Sequence, residues 1–86
     1  MPGERTFRPD FSREIDRRVA RRIRQRRLRI GMTQQQLARS IGVAFQQAHK
    51  YERGISRVSA GRLYHIATAL AAPIAWFFED DGDETV

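Results

Sequence analysis

The sequence contains no cysteine among its 86 residues. This absence excludes disulfides, iron–sulfur clusters and thiolate metal sites, and it is compatible with a reducing compartment. No apolar run approaches the roughly 20 residues that a membrane span needs, and no stretch resembles a signal peptide. A chain of this length has room for one compact domain with a modest core. We therefore expect a soluble, cytoplasmic protein that needs no membrane.

Acidic residues are scarce outside the C-terminus. Five of the ten Asp and Glu residues lie in the last eight positions, so residues 1–78 carry sixteen basic and five acidic side chains, a net charge of +11. Fifteen of the sixteen basic residues are arginine. Guanidinium groups match phosphate oxygens and release counterions from a polyanion, so this bias is what a nucleic-acid partner requires. Composition alone fits a solvated basic surface equally well.

Apolar residues recur at helical spacing, and no segment shows the period of two that is typical of a strand. The spacing predicts a first helix from about Ile15 that ends at Gly31, with Asp10, Ser12 or Asp16 as its N-cap. Its arginines are interpreted mainly as a solvated face, with a minority near a nucleic-acid backbone. The alternative for this basic segment is an amphipathic helix on a membrane surface.

Four shorter helices are predicted after Gly31. Their expected positions are Gln34 to Ile41, Phe45 to Arg53, a helix capped by Ser59, and a short helix that begins at Pro73 and contains Trp76, Phe77 and Phe78. Thr33 and Gln36 form a capping box before the first of these, and Gly42 ends it. The sequence thus predicts an all-α domain over residues 12–79, a flexible basic arm over 1–11 and an acidic tail over 80–86.

The second and third helices carry the most informative pattern. Gly42 permits a tight turn between them, small Ala38 lets their backbones approach, and Ala48 and Tyr51 pack the third helix down along one face. The opposite face of the third helix then points outward. Its side chains are able to reach base edges and phosphates: Phe45, Gln46, His49, Lys50 and Arg53.

These residues resemble the helix-turn-helix of the Cro and phage-repressor family, also called XRE-type regulators. The resemblance covers about residues 15–79, and it extends to Arg22-Ile-Arg24, to Lys50-Tyr-Glu-Arg-Gly54 and to segment 70–78. It implies a compact five-helix domain like that of lambda repressor, in a small stand-alone bacterial member. It also implies a homodimeric regulator of transcription, a repressor that reads a palindromic operator in double-stranded DNA through the major groove.

The resemblance assigns roles to individual residues. Base reading falls to Gln34, Phe45, Gln46 and Lys50. Phosphate contact falls to Ala44, His49, Arg53 and Arg57. Arg27 and Glu52 match an ion pair that has a structural role in the family. The aromatic residues of the C-terminal segment are expected first to close the core, and part of their surface is expected to serve dimerisation because this segment often forms the two-fold interface in the family: Trp76, Phe77 and Phe78. Three positions depart from the family: Ala44 lacks the hydroxyl that often caps the recognition helix, Ala48 is smaller than the usual valine or isoleucine, and Ala71 replaces a frequent glycine.

Other classes of function remain open at this point. An antitoxin of a toxin–antitoxin pair shares this fold and adds a protein partner, the toxin. An RNA-binding or membrane-active cationic protein would show no preference for palindromic DNA. An enzyme is disfavoured because the sequence contains no nucleophile–base pair, carboxylate dyad or phosphate-cradling glycine loop. No cofactor or metal is expected, since His49 and His65 are isolated from each other and from carboxylates.

Overall fold

The computed structural model describes residues 9–80, and this range contains four α-helices and one 3-10 helix but no strand. The helices are α1 (Pro9–Arg29), α2 (Gln34–Ile41), α3 (Phe45–Arg53) and α4 (Ala60–Ala69), followed by the 3-10 helix Ile74–Phe78. The predicted all-α class is confirmed. The fifth element is 3-10 because Pro73 opens a very short segment, in which the Trp76 amide donates to the Pro73 carbonyl three residues back at 3.0 Å.

Helix α1 begins earlier than the sequence suggested. It starts at Pro9, so residues 9–11 are helical and do not belong to a flexible arm. Asp10, Ser12 and Asp16 all lie inside the helix, and none of them is its N-cap. Proline fits the first turn because its missing N–H has no intrahelical partner there, and the carboxylate of Asp10 favours the positive end of the helix dipole. The rest of the predicted arm, residues 1–8, and residues 81–86 of the acidic tail lie outside the described residues.

Local capping sets the bounds of the shorter helices. The Thr33 hydroxyl accepts from the Gln36 amide at 3.0 Å, and the Gln36 side-chain oxygen accepts from the Thr33 amide at 2.8 Å, which completes the predicted capping box of α2. Gly42 then ends α2 with φ at 73°. The Ser59 hydroxyl accepts from the Arg62 amide at 3.1 Å and begins α4. Each device satisfies backbone groups that a helix end would leave unpaired.

One apolar cluster joins all five elements. Its fully buried large side chains are Ile23, Leu37, Ile66, Leu70 and Phe77. They come from α1, α2, α4 and the 3-10 helix, while Tyr51 brings α3 onto the same cluster. Burial of a large apolar side chain stabilises a fold by about 1.5–3 kcal/mol. The cluster therefore holds α2 and α3 in their positions in the domain.

Several arginines of α1 bind the C-terminal part of the domain. Arg22 donates to the Trp76 carbonyl from Nε at 3.0 Å and from Nη2 at 2.9 Å, and its Cζ lies 3.5 Å from the centre of the Trp76 ring. Arg26 donates to the carbonyls of Leu70 and Ala71 at 2.8 and 3.0 Å. The prediction of a mainly solvated arginine face was therefore wrong for these residues. Their guanidinium groups satisfy the carbonyls that end α4 and the 3-10 helix.

Candidate nucleic-acid interface

Helices α2 and α3 meet through a tight turn at residues 42–44. Gly42 adopts a left-handed conformation there, and the Val43 amide donates to the Ala38 carbonyl at 3.0 Å. Ala38 and Ala48 are both buried, and their small side chains allow the two helices to approach closely. The buried residues of α3 are Ala48, Tyr51 and Glu52. Helix α3 is therefore anchored by one face, and its other face is free to contact a partner.

The outward face of α3 carries most of the predicted contact residues. Phe45, Gln46, Lys50 and Arg53 are exposed, and His49 is half-buried. Their spacing places them on neighbouring turns of one helix surface. The face combines an apolar ring, an amide, an imidazole and two cationic groups, which is a set able to contact base edges and phosphates.

The amino end of α3 has no side-chain cap. Ala44 is the N-cap residue, with φ at −68° and ψ at 152°, and its methyl group makes no hydrogen bond. Whatever contact Ala44 makes to an anion must come from its backbone. The unpaired amides of a helix N-terminus and its dipole are suited to such a contact, which places the predicted role of Ala44 on the main chain.

A buried network connects α1, α2 and α3 beneath this surface. The Arg27 Nε atom lies 2.6 Å from Glu52 Oε2, and Arg27 Nη2 donates to Glu52 Oε1 at 3.0 Å. The Glu52 side chain is 0% exposed and that of Arg27 is 8% exposed. Arg27 Nη1 also donates to the Met32 carbonyl at 2.8 Å. The structure thus brings together the two residues expected to pair, in a bidentate geometry that holds a buried carboxylate.

Gln34 belongs to the same network. Its Nε2 atom donates to Glu52 Oε1 at 3.0 Å, and the Gln34 side chain is half-buried. A carboxylate only accepts hydrogen bonds, so the amide nitrogen and not the carbonyl oxygen must face Glu52. The Gln34 carbonyl oxygen and its second N–H remain available. Sequence reasoning missed this contact, because Gln34 and Glu52 lie 18 residues apart and no local pattern relates them.

Arg57 lies beyond the end of α3. Its Nε atom is 3.2 Å from Asp16 Oδ2, and the two side chains are 78% and 40% exposed. An ion pair so open to water contributes little to stability and exchanges readily with another anion. Arg57 therefore remains able to reach a phosphate.

Two further properties bear on the class of site. Among residues 9–80, no group of three or more His, Asp or Glu side chains is placed to hold a metal ion. None of the helices in the same range is long and apolar enough to cross a bilayer.

Comparison with known proteins identifies the family of the chain. A family model described as helix-turn-helix matches residues 23–77, more than half of the chain. An uncharacterized transcriptional regulator in the ATPase CF(0) region of Rhodospirillum rubrum is 58% identical over 66 residues, which cover 77% of this chain and 61% of that protein. An uncharacterized HTH-type transcriptional regulator of Sinorhizobium medicae is 50% identical over 66 residues, 77% of this chain and 48% of that protein.

A third relative, an uncharacterized HTH-type transcriptional regulator of Rickettsia conorii, is 46% identical over 70 residues, which cover 81% of this chain and 56% of that protein. The chain therefore spans about half to three-fifths of the length of these relatives. The matched region contains α2, the turn and α3 in full. The resemblance found in the sequence is confirmed, and the chain belongs to the helix-turn-helix family.

Proposed function

We propose that this protein is a sequence-specific DNA-binding regulator of transcription that inserts α3 into the major groove. The observation that carries this proposal is the division of α3 into two faces. One face is anchored by Ala48, Tyr51 and Glu52, and the other presents hydrogen-bonding and cationic side chains. The family match and the names of the relatives favour DNA binding over an enzymatic activity.

Base reading is proposed for four side chains. Gln46 has an exposed amide that is able to pair bidentately with adenine, and the Lys50 ammonium is able to donate to guanine O6 and N7. Phe45 offers apolar contact to a thymine methyl group. Gln34 adds an amide whose orientation is already fixed by Glu52. A fixed amide loses less conformational entropy on binding, so it discriminates between bases more effectively than a freely rotating one.

Phosphate contacts are proposed for the residues around this reading face. Arg53 and Arg57 are exposed near the C-terminal end of α3, and His49 lies along it. Ala44 contributes its backbone at the N-terminal end. Phosphate contacts of this kind set the register of α3 on the duplex, and they supply an affinity that does not depend on base sequence.

The protein is proposed to act as a homodimer on a palindromic operator. Support comes from the C-terminal 3-10 helix, where Ile74 and Phe78 are 40% and 45% exposed although they are apolar. A two-fold dimer would bury these residues and would place two copies of α3 about one helical turn of DNA apart. Binding at a promoter would repress transcription by excluding other proteins, and the protein would then lie at the bacterial nucleoid.

Selection of bound duplexes from a random library tests this function. The expected result is enrichment of a palindromic consensus whose half-sites are about one helical turn apart. The matched control is the Gln46→Ala variant, which should enrich a consensus that is degenerate at particular positions only. Failure of the unmodified protein to enrich any duplex would refute the proposal. If a protein partner in stoichiometric amount also copurified, the antitoxin interpretation would replace it.

A further inference from the structure

The arginines of this domain fall into two groups. Members of the first group donate to backbone carbonyls or to Glu52 and thereby hold helices together: Arg18, Arg22, Arg26, Arg27 and Arg62. Members of the second group are exposed and make no hydrogen bond or ion pair within residues 9–80: Arg13, Arg17, Arg24, Arg29, Arg39 and Arg53. Arg13, Arg17 and Arg53 differ from the others because all three line one groove.

These three unpaired arginines lie together. A groove of about 490 Å³ runs between the first half of α1 and the segment that follows α3, and its lining includes Arg13, Arg17, Arg53 and Arg57. Gly54 makes this arrangement possible, because its φ of 72° turns the chain away from α3 directly against α1. A Cβ atom placed on Gly54 would lie 3.7 Å from Ala20 Cβ and 3.9 Å from Arg17 Cγ. Arg17 therefore sits beside the end of α3.

The charge balance of the groove is strongly positive. Four guanidinium groups line it with a single carboxylate, Asp16, which is held only in the exposed pair with Arg57. The lining also contains apolar residues, of which Val19 and Leu63 are buried and Ile55 and Phe78 are exposed. Without an anion the guanidinium groups repel one another, and with one they form charge-assisted bonds.

We propose that Arg13 and Arg17 of α1 bind the DNA phosphodiester backbone and continue the phosphate track of Arg53 and Arg57. This inference rests on the proposed function and adds a second element to it: α1 contacts DNA while α3 reads the major groove. A duplex backbone fits the observations because the groove begins at the C-terminal end of α3, so a strand that flanks a major groove occupied by α3 would pass beside it. Guanidinium forks match its phosphate oxygens bidentately.

The salt dependence of binding to a scrambled 30-bp duplex tests this inference, because phosphate contacts do not need a specific site. The slope of log Kobs against log salt is negative, and each lost phosphate contact makes it shallower by about 0.9, so Arg13→Gln with Arg17→Gln should make it shallower by about 1.8. If the lines meet near 1 M salt, this corresponds to binding weaker by about 60-fold at 0.1 M. Both side chains are exposed, so the thermal midpoint should stay within a few degrees of the original.

The matched control replaces Arg24 and Arg29 with glutamine. These arginines belong to the same helix, are exposed, make no hydrogen bond or ion pair within residues 9–80, and do not line the groove. The control removes the same charge and should change the slope by less than half as much. If the two double variants had equal slopes, the change in salt dependence would follow from net charge alone, and the inference would be overturned.

Three other results would also overturn it, and together they separate it from the proposed function. An unchanged slope with weakened self-association, measured by sedimentation equilibrium, would assign the groove to a second copy of the chain. Failure of the unmodified protein to bind any duplex would refute DNA binding itself. Duplex binding with a normal consensus and an unaltered slope in Arg13→Gln with Arg17→Gln would leave the proposed function intact and refute the role of α1 alone.

Discussion

Replacing Arg27 with methionine should destabilise the domain strongly. The substitution leaves the Glu52 carboxylate 0% exposed with only the Gln34 amide as a described side-chain partner, instead of three donated hydrogen bonds. Breaking a buried ion pair by removing one partner costs about 3–5 kcal/mol. The total stability of a small domain is about 5–15 kcal/mol, so the loss should be a large share of it. Urea unfolding followed by circular dichroism measures the change through the midpoint at constant slope.

The matched variant replaces both members of the pair, Arg27→Met with Glu52→Met. An apolar pair of similar volume removes the stranded charge, so stability should return to within about 2 kcal/mol of the original. Part of the loss should persist, because the bond from Arg27 to the Met32 carbonyl disappears as well. If the double variant proved as unstable as Arg27→Met alone, the stranded carboxylate would not be the cause and the reasoning would be refuted.

The double variant also tests how Gln34 is oriented. With Glu52 replaced, the Gln34 amide loses the acceptor that fixes it. The loss of affinity for the selected consensus duplex that Gln34→Ala causes should therefore become smaller. A double-mutant cycle isolates this coupling between the sites. Measured by titration, Gln34→Ala should weaken binding several-fold less in the double variant than in the original protein. An unchanged cost would show that Glu52 stabilises the fold without positioning Gln34.

Five further substitutions have defined outcomes. Ala71 has a φ of 56°, which costs a non-glycine residue about 1–2 kcal/mol, so Ala71→Gly should raise the thermal midpoint of unfolding. Gly54→Ala, at a φ of 72°, should lower that midpoint. A decrease for Ala71→Gly would contradict the argument from backbone conformation. Ala44→Ser should add the missing side-chain cap of α3 and stabilise the domain by about 0.5–2 kcal/mol in a urea titration, and no gain would mean that the new hydroxyl does not reach the α3 amides. Arg57→Ala should weaken binding to consensus and scrambled duplexes alike. Gln46→Ala should instead reduce the free energy of DNA binding by about 1–3 kcal/mol at particular bases only. Equal losses on both duplexes for Gln46→Ala would refute its role as a base reader.

Local chemistry explains which parts of the fold were predictable. The bounds of α2 and α3 match the prediction because Thr33, Gln36, Gly42 and Gly54 act on neighbouring backbone groups. The start of α1 was missed because three acidic or hydroxyl residues were equally suited to cap it, whereas the helix begins before all of them. Capping preferences rank residue types, but they cannot choose among several good candidates that follow one another closely.

Contacts between distant residues explain what was not predictable. The arginines of α1 form one continuous basic pattern in the sequence, yet Arg22 holds Trp76 while Arg17 has no structural partner in the described range. The difference depends on carbonyls at the end of the domain, 54 residues away from Arg22. Likewise, the resemblance assigned Arg27 and Glu52 to one ion pair, but only the structure adds Gln34 to it. Spacing along one helix cannot reveal such partners.

The bonds from Arg22 and Arg26 to the C-terminal part of the domain also determine how late in synthesis the domain can complete its folding. Arg22 is translated 54 residues before its acceptor Trp76, an interval of roughly 3–11 s at about 5–20 residues per second. Throughout that interval the apolar stripe of α1 lacks Phe77, a fully buried member of the core. A chain interrupted before Trp76 would therefore contain all of α2 and α3 without the packing that keeps them in place. The proposed reading helix would therefore gain its full packing only after the aromatic segment has been translated.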